Sequence, residues 1–161
     1  MNDKKTYTPI IESLEKVYGK PCSTGFGSAV FYEVSKKDIG LATIALDDYK
    51  LFMGEKWNAE TESAWMSAWK KVYERSPGNA ADILSELNNI KDADARRSVP
   101  LLTELVENAE QGKLALAAAY NHPDISQVQV FSVGDGEAMS GLLLCGLFND
   151  HSACSVICLM D

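Results

Sequence analysis

The chain has 161 residues, 46% hydrophobic and 24% charged, with 15 Lys and Arg against 23 Asp and Glu. That is the make-up of one globular domain with its own core. The net charge of −8 argues against a nucleic-acid protein, which needs a basic face for phosphates, and no run approaches the roughly 18 apolar residues that span a bilayer. The polar start, Met1 to Lys5, lacks the apolar region of a secretory signal, so a cytosolic protein with reduced cysteines is expected.

In chain order, Thr8-Pro9 is expected to open a first helix, with Ile10, Ile11, Leu14, Val17 and Tyr18 along one stripe and Gly19 and Pro21 ending it. Ala29 to Val34 is β-branched and aromatic and reads as a strand, followed by a turn at Ser35–Asp38. Residues 39–53 fit a helical face through Ile39, Ala42, Leu46, Tyr49 and Met53. Leu41 to Leu46 alone would also serve as a strand, but the longer pattern favours helix. A helix capped at Asn58 or Thr61 is expected to carry Ala64, Trp65, Ala68, Trp69, Val72 and Tyr73 on one face, ending at Ser76-Pro77-Gly78. Asn79 is placed to cap a second helix with Ile83, Leu84, Leu87 and Ile90 inward, and Asp82 favours its positive end. Ser98 is placed to cap a third, with Leu101, Leu102, Leu105, Val106 and Ala109 inward. Gly112 should break it, leaving a short continuation from Leu114 to Tyr120.

After Asn121–Asp124 come three strands, Gln127–Val133, Gly141–Phe148 and Ala153–Met160, joined by short connections that favour an antiparallel meander. The middle one has no polar side chain, and such a strand is usually covered on both faces. The end of the chain is therefore expected to be the centre of its fold. The whole reads as a single α+β domain over 1–161: a helical layer packed on one face of a small antiparallel sheet, which the strand near Ala29–Val34 joins and which ends in a C-terminal three-stranded meander.

No catalytic, metal or nucleotide motif stands out, and no cofactor is expected. Cys145, Cys154 and Cys158 fall in the last hairpin. A two-residue turn at Asp150-His151 would set Cys145 opposite Val156 and on one face with the other two sulfurs. A slip of one residue would part them. Their spacing is not that of a zinc site, and an apolar strand raises a thiol pKa, so buried core cysteines are expected rather than ligands or nucleophiles. The loop Gly134–Gly141 carries Asp135 and Glu137. These could form a carboxylate pair, with His151 a further titratable group near a strand end, although Asp and Gly are also ordinary turn residues.

Trp65 and Trp69 fit the core. Trp57 stands among Glu55, Lys56 and Glu60 and is the better anchor for a protein partner. Acidic residues gather between Asp82 and Glu110, and Asp92, Asp94, Glu104 and Glu107 are the candidates for meeting a basic partner, though an ordinary solvated face would look the same. The reading preferred is a non-catalytic acidic interaction module for a basic protein, of the immunity-protein, antitoxin or chaperone kind. A small enzyme using Asp135, Glu137 and His151, and a structural subunit of a cytosolic assembly, are the alternatives.

Overall fold

The computed structural model of the chain describes residues 3–34, 37–76, 78 and 80–160, with side chains from Tyr7 onward. Its centre is the C-terminal meander: β3 (Ile125–Gly134), β4 (Ser140–Phe148) and β5 (Ala153–Met160) pair antiparallel in succession. β1 (Gly27–Glu33) adds to the free side of β5 and β2 (Lys70–Glu74) to that of β3, giving a five-stranded sheet of order β1-β5-β4-β3-β2. β4 is the middle strand, and every residue from Gly141 to Phe148 is buried.

Alternation along the strands sends two sets of side chains to two cores. On one face Val128, Val130, Leu142, Leu144, Val156 and Cys158 meet the helical layer of α1 (Asp3–Tyr18), α4 (Ile83–Asn88), α5 (Ala93–Thr103) and α6 (Ala109–Tyr120). On the other, Ala29, Phe31, Phe131, Leu143, Cys145 and Ile157 lie under α2 (Leu41–Met53), through Ile44, Ala45, Tyr49 and Phe52. The expected helical layer is thus joined by helical cover on the opposite face, chiefly α2, as the wholly apolar middle strand requires. Residues 41–53 resolve as helix because Ile44, Ala45, Tyr49 and Phe52 all reach that second core, while Ile39 and Ala42, expected on its inner face, are exposed.

The stretch from Ala64 to Tyr73 is not one helix. α3 (Glu62–Met66) lasts five residues, and Val72 and Tyr73 belong to edge strand β2. Trp69 turns the chain by lying flat on Phe131 of β3, with ring centroids 4.6 Å apart and planes 3° off parallel. Pairing with β3 then overrides the helical spacing. Two lysines and a register shift at Val72 blunt this edge against further pairing.

Helix ends also differ from expectation. α1 runs through Thr8-Pro9, because the buried stripe Tyr7, Ile11, Leu14 and Tyr18 outweighs the one backbone bond Pro9 forgoes. Asp82 itself caps α4, accepting from Ser85 N; Asn79 lies outside the described residues. Asp92 caps α5 by accepting from Ala95 N at 2.9 Å, while Ser98 sits buried in mid-helix. Leu105, expected inward, is 72% exposed. Gly112 does not end a helix but lies inside α6, where a Cβ would stand 2.6 Å from the Tyr18 hydroxyl, so glycine is what lets α6 approach α1.

In the last hairpin Phe148 N donates to Ser152 O at 2.8 Å, so the loop is the three residues Asn149–His151, and His151 takes the left-handed position at φ 69°. One extra loop residue shifts the register by one. Cys145 therefore faces Ser155 and belongs to the α2 core, while Cys154 and Cys158 belong to the other. Among the described residues no three His, Cys, Asp or Glu side chains are grouped to hold a metal, and no helix is long and apolar enough to cross a membrane.

Candidate functional site

Several of the residues singled out in the sequence meet at one end of the sheet, around the β3–β4 turn. There a cleft of about 360 Å³ opens between the first turns of α5, the segment from Ser67 to Lys70 and the turn itself. Its size falls within the range of ligand-binding clefts. Asp94, Arg97 and Ser98 come from α5, Lys70 from the start of β2, Ser132 and Ser140 from β3 and β4, and Glu137 from the turn.

The turn is built by Asp135. Its Oδ1 accepts from Glu137 N at 2.8 Å and from Met139 N at 3.0 Å, and Gly134 and Gly136 supply φ values of 133° and 77°. At Gly134 a Cβ would stand 2.2 Å from Met139 O, so that position must be glycine for the turn to close. Asp135 therefore holds the loop's shape, and Glu137 is the carboxylate left exposed at the rim.

The acids of α5 are engaged. Asp92 caps the helix and also pairs with Lys70, Oδ2 to Nζ at 2.5 Å; the Lys70 hydrogen bond and the Ala95 amide hold its carboxyl below the ordinary aspartate range. Asp94 is paired with Arg97 one turn on. Each cation at the cleft thus has its own aspartate, and the Glu137 carboxylate has no hydrogen-bond or ion-pair partner among the described residues. Ser132, on the floor, is only 6% exposed, and its hydroxyl likewise makes no hydrogen bond among the described residues.

Trp57 belongs to the same end of the molecule but to the other face. It is half-buried: its ring meets Tyr49 edge-on at 5.1 Å, its Nε1 donates to Glu62, and the Lys50 ammonium lies 5.6 Å from its centroid. Tyr49 links it to the turn, since the Tyr49 hydroxyl donates to Trp65 O at 2.8 Å and accepts from Gly134 N at 3.1 Å.

Other candidates lie elsewhere. His151 is in the β4–β5 turn at the far end of β4, a nine-residue strand about 27 Å long, so it shares no site with Asp135 and Glu137. Glu104 closes α5 at the end opposite Asp94, about 15 Å along the axis, and Glu107 follows it in the chain. Burial pushes the Cys154 and Cys158 thiols up to about 12 and Cys145 well above its ordinary value. Cys22, in the loop after α1, is half-exposed.

Lys70, Arg97, Ser98, Ser132 and Ser140 were not among the sequence candidates. Ser132 alone left a signal: it follows Val128 and Val130 on one face of β3 and breaks their apolar alternation. No family model matches this chain, and neither a curated protein nor a solved structure is detectably similar to it.

Proposed function

We propose that this protein is a non-catalytic interaction module of the cytosol that binds, and so neutralises or shields, a more basic protein, as an immunity protein or antitoxin does. The observation that carries the reading is convergence. Asp92 and Asp94, Glu137, and Trp57 come from separate stretches of the chain and gather at the β3–β4 end of the sheet. An unmatched carboxylate at the cleft and an aromatic anchor at the same end of the sheet, on its other face, suit a basic partner in encounter rate and in residence respectively. The charge balance adds to it: Lys70, Lys71, Arg75, Arg97 and Lys113 are all paired with carboxylates of the same chain, so those cations are already matched. The catalytic alternative asks Asp135, Glu137 and His151 to act together, and they stand at opposite ends of β4.

The test is capture from an extract of the native cell with the purified protein as bait, followed by binding measurements on the purified pair. A stoichiometric basic protein should be retained, and Trp57→Ala should release it chiefly by faster dissociation. Recovery of no such protein, or equal binding by Trp57→Ala and a Glu137→Lys variant, would remove the reading.

A further inference from the structure

We propose that the cleft beside the β3–β4 turn receives one arginine side chain of the partner, with Glu137 meeting the guanidinium and the Ser132 hydroxyl accepting from it at the floor. The inference rests on the interaction reading above and specifies its chemistry. Three observations converge on it. The first is charge: with Lys70 matched by Asp92 and Arg97 by Asp94, the one unmatched charge at the cleft among the described residues is the Glu137 carboxylate, which favours a cation over an anion. An anion would meet two cations whose charge is already balanced by aspartates.

The second is the floor. Ser132 is a polar residue more than nine-tenths buried that lines the cleft, and its hydroxyl makes no hydrogen bond among the described residues. Its oxygen stays open to the cleft and is free to accept from a donor that enters there. The third is the spread of acceptors. Ser132 on β3, Glu137 on the turn and the Asp94 oxygen not bound by Arg97 come from different sides of the cleft. A guanidinium has five donors in a fixed fork and can address dispersed acceptors, whereas an ammonium is a compact point charge. The volume of about 360 Å³ leaves room for the side chain with water around it.

The experiment uses the whole ¹⁵N-labelled protein and three small probes: N-acetyl-arginine amide, its uncharged isostere N-acetyl-citrulline amide, and N-acetyl-glutamate amide. The arginine probe should move the amides of Ser132, Glu137 and Ser140 saturably. Glu137→Gln should weaken it roughly two- to fivefold, the range expected for a partly exposed charge pair. Ser132→Ala removes no hydrogen bond among the described residues, so it should fold as the parent does and still bind the probe more weakly. Equal binding of the citrulline probe, the same shifts from the glutamate probe, or arginine shifts scattered over the surface would overturn the proposal. The outcome is separable from the broader reading. Probe binding with no captured protein would sustain the cleft and remove the module, and a captured partner indifferent to Glu137→Gln and Ser132→Ala would do the reverse.

Discussion

Arg75 ties three parts of the chain with one side chain. Its Nε and Nη2 clasp Glu86 of α4 at 2.8 and 2.5 Å, its Nη1 donates to Tyr120 O, and the Tyr73 hydroxyl completes Glu86 at 2.6 Å. Both charged side chains are only 10% exposed. Removing one partner of such a pair strands the other, so Arg75→Ala should cost about 3–5 kcal/mol in a denaturant titration. The same group sets part of the acid limb. Burial alone would raise Glu86, but hydrogen bonds from Arg75 and Tyr73 and the Arg75 charge bring it below the ordinary glutamate value. A carboxyl with a lowered pKa in the folded state stabilises above its unfolded value and loses that contribution as pH falls through the folded one. Glu86→Gln should therefore flatten the loss of stability below about pH 4.3, the unperturbed glutamate value; an unchanged acid limb would show that Glu86 is not ionised in the fold. The cysteines give a third check at this scale. With three thiols buried and raised, iodoacetamide should label Cys22 alone in the native protein, and labelling of Cys145, Cys154 or Cys158 without unfolding would contradict the two-core assignment.

Among the elements, β5 matters most. It pairs with β4 on one side and β1 on the other, and Ala153 to Leu159 are buried. Deleting Cys154 to Asp161 removes Val156, Ile157 and Leu159, each worth roughly 1.5–3 kcal/mol by burial, together with two ladders, against a total stability of about 5–15 kcal/mol. The truncated chain should show no cooperative unfolding transition, and a soluble cooperative truncation would refute the placement of β5. This region was also the most legible in the sequence. An all-apolar run bounded by turn residues can be told as a buried strand, and the three C-terminal strands lie where their residues predict them. The Trp65–Tyr73 stretch was not legible, because its tryptophans satisfy the helical period and only the presence of β3 and Phe131 makes Lys70–Glu74 a strand. The hairpin register was not legible either. The left-handed residue in its turn is His151 rather than a glycine, so nothing in the sequence marks a three-residue loop. Gly112 misled for the opposite reason, since its role is contact with Tyr18 and not helix termination.

For the whole molecule, the distribution of charge counts for more than its sum. The sequence shows an acidic cluster over residues 82–110, but the fold divides it. Asp82 and Asp92 cap helices, Glu86 is clasped by Arg75, Asp94 faces the cleft, and Glu104 lies at the far end of α5. Asp92 is then a poor probe of binding, because Asp92→Ala should lose about 1 kcal/mol of stability through the cap. The cleft itself could not be read in advance, since it needs β2, α5 and the β3–β4 turn to be brought together by the sheet. If the acidic end steers a basic partner, association should slow as salt rises, because the screening length falls from about 10 Å at 0.1 M to about 3 Å at 1 M. The most direct measurement is the association and dissociation of the captured partner with two charge-reversed variants, Asp94→Lys/Glu137→Lys at the cleft and Glu104→Lys/Glu107→Lys at the other end of α5. Binding at the β3–β4 end predicts that the first pair weakens the complex severalfold more than the second; equal losses, or a larger loss from the second pair, would contradict it.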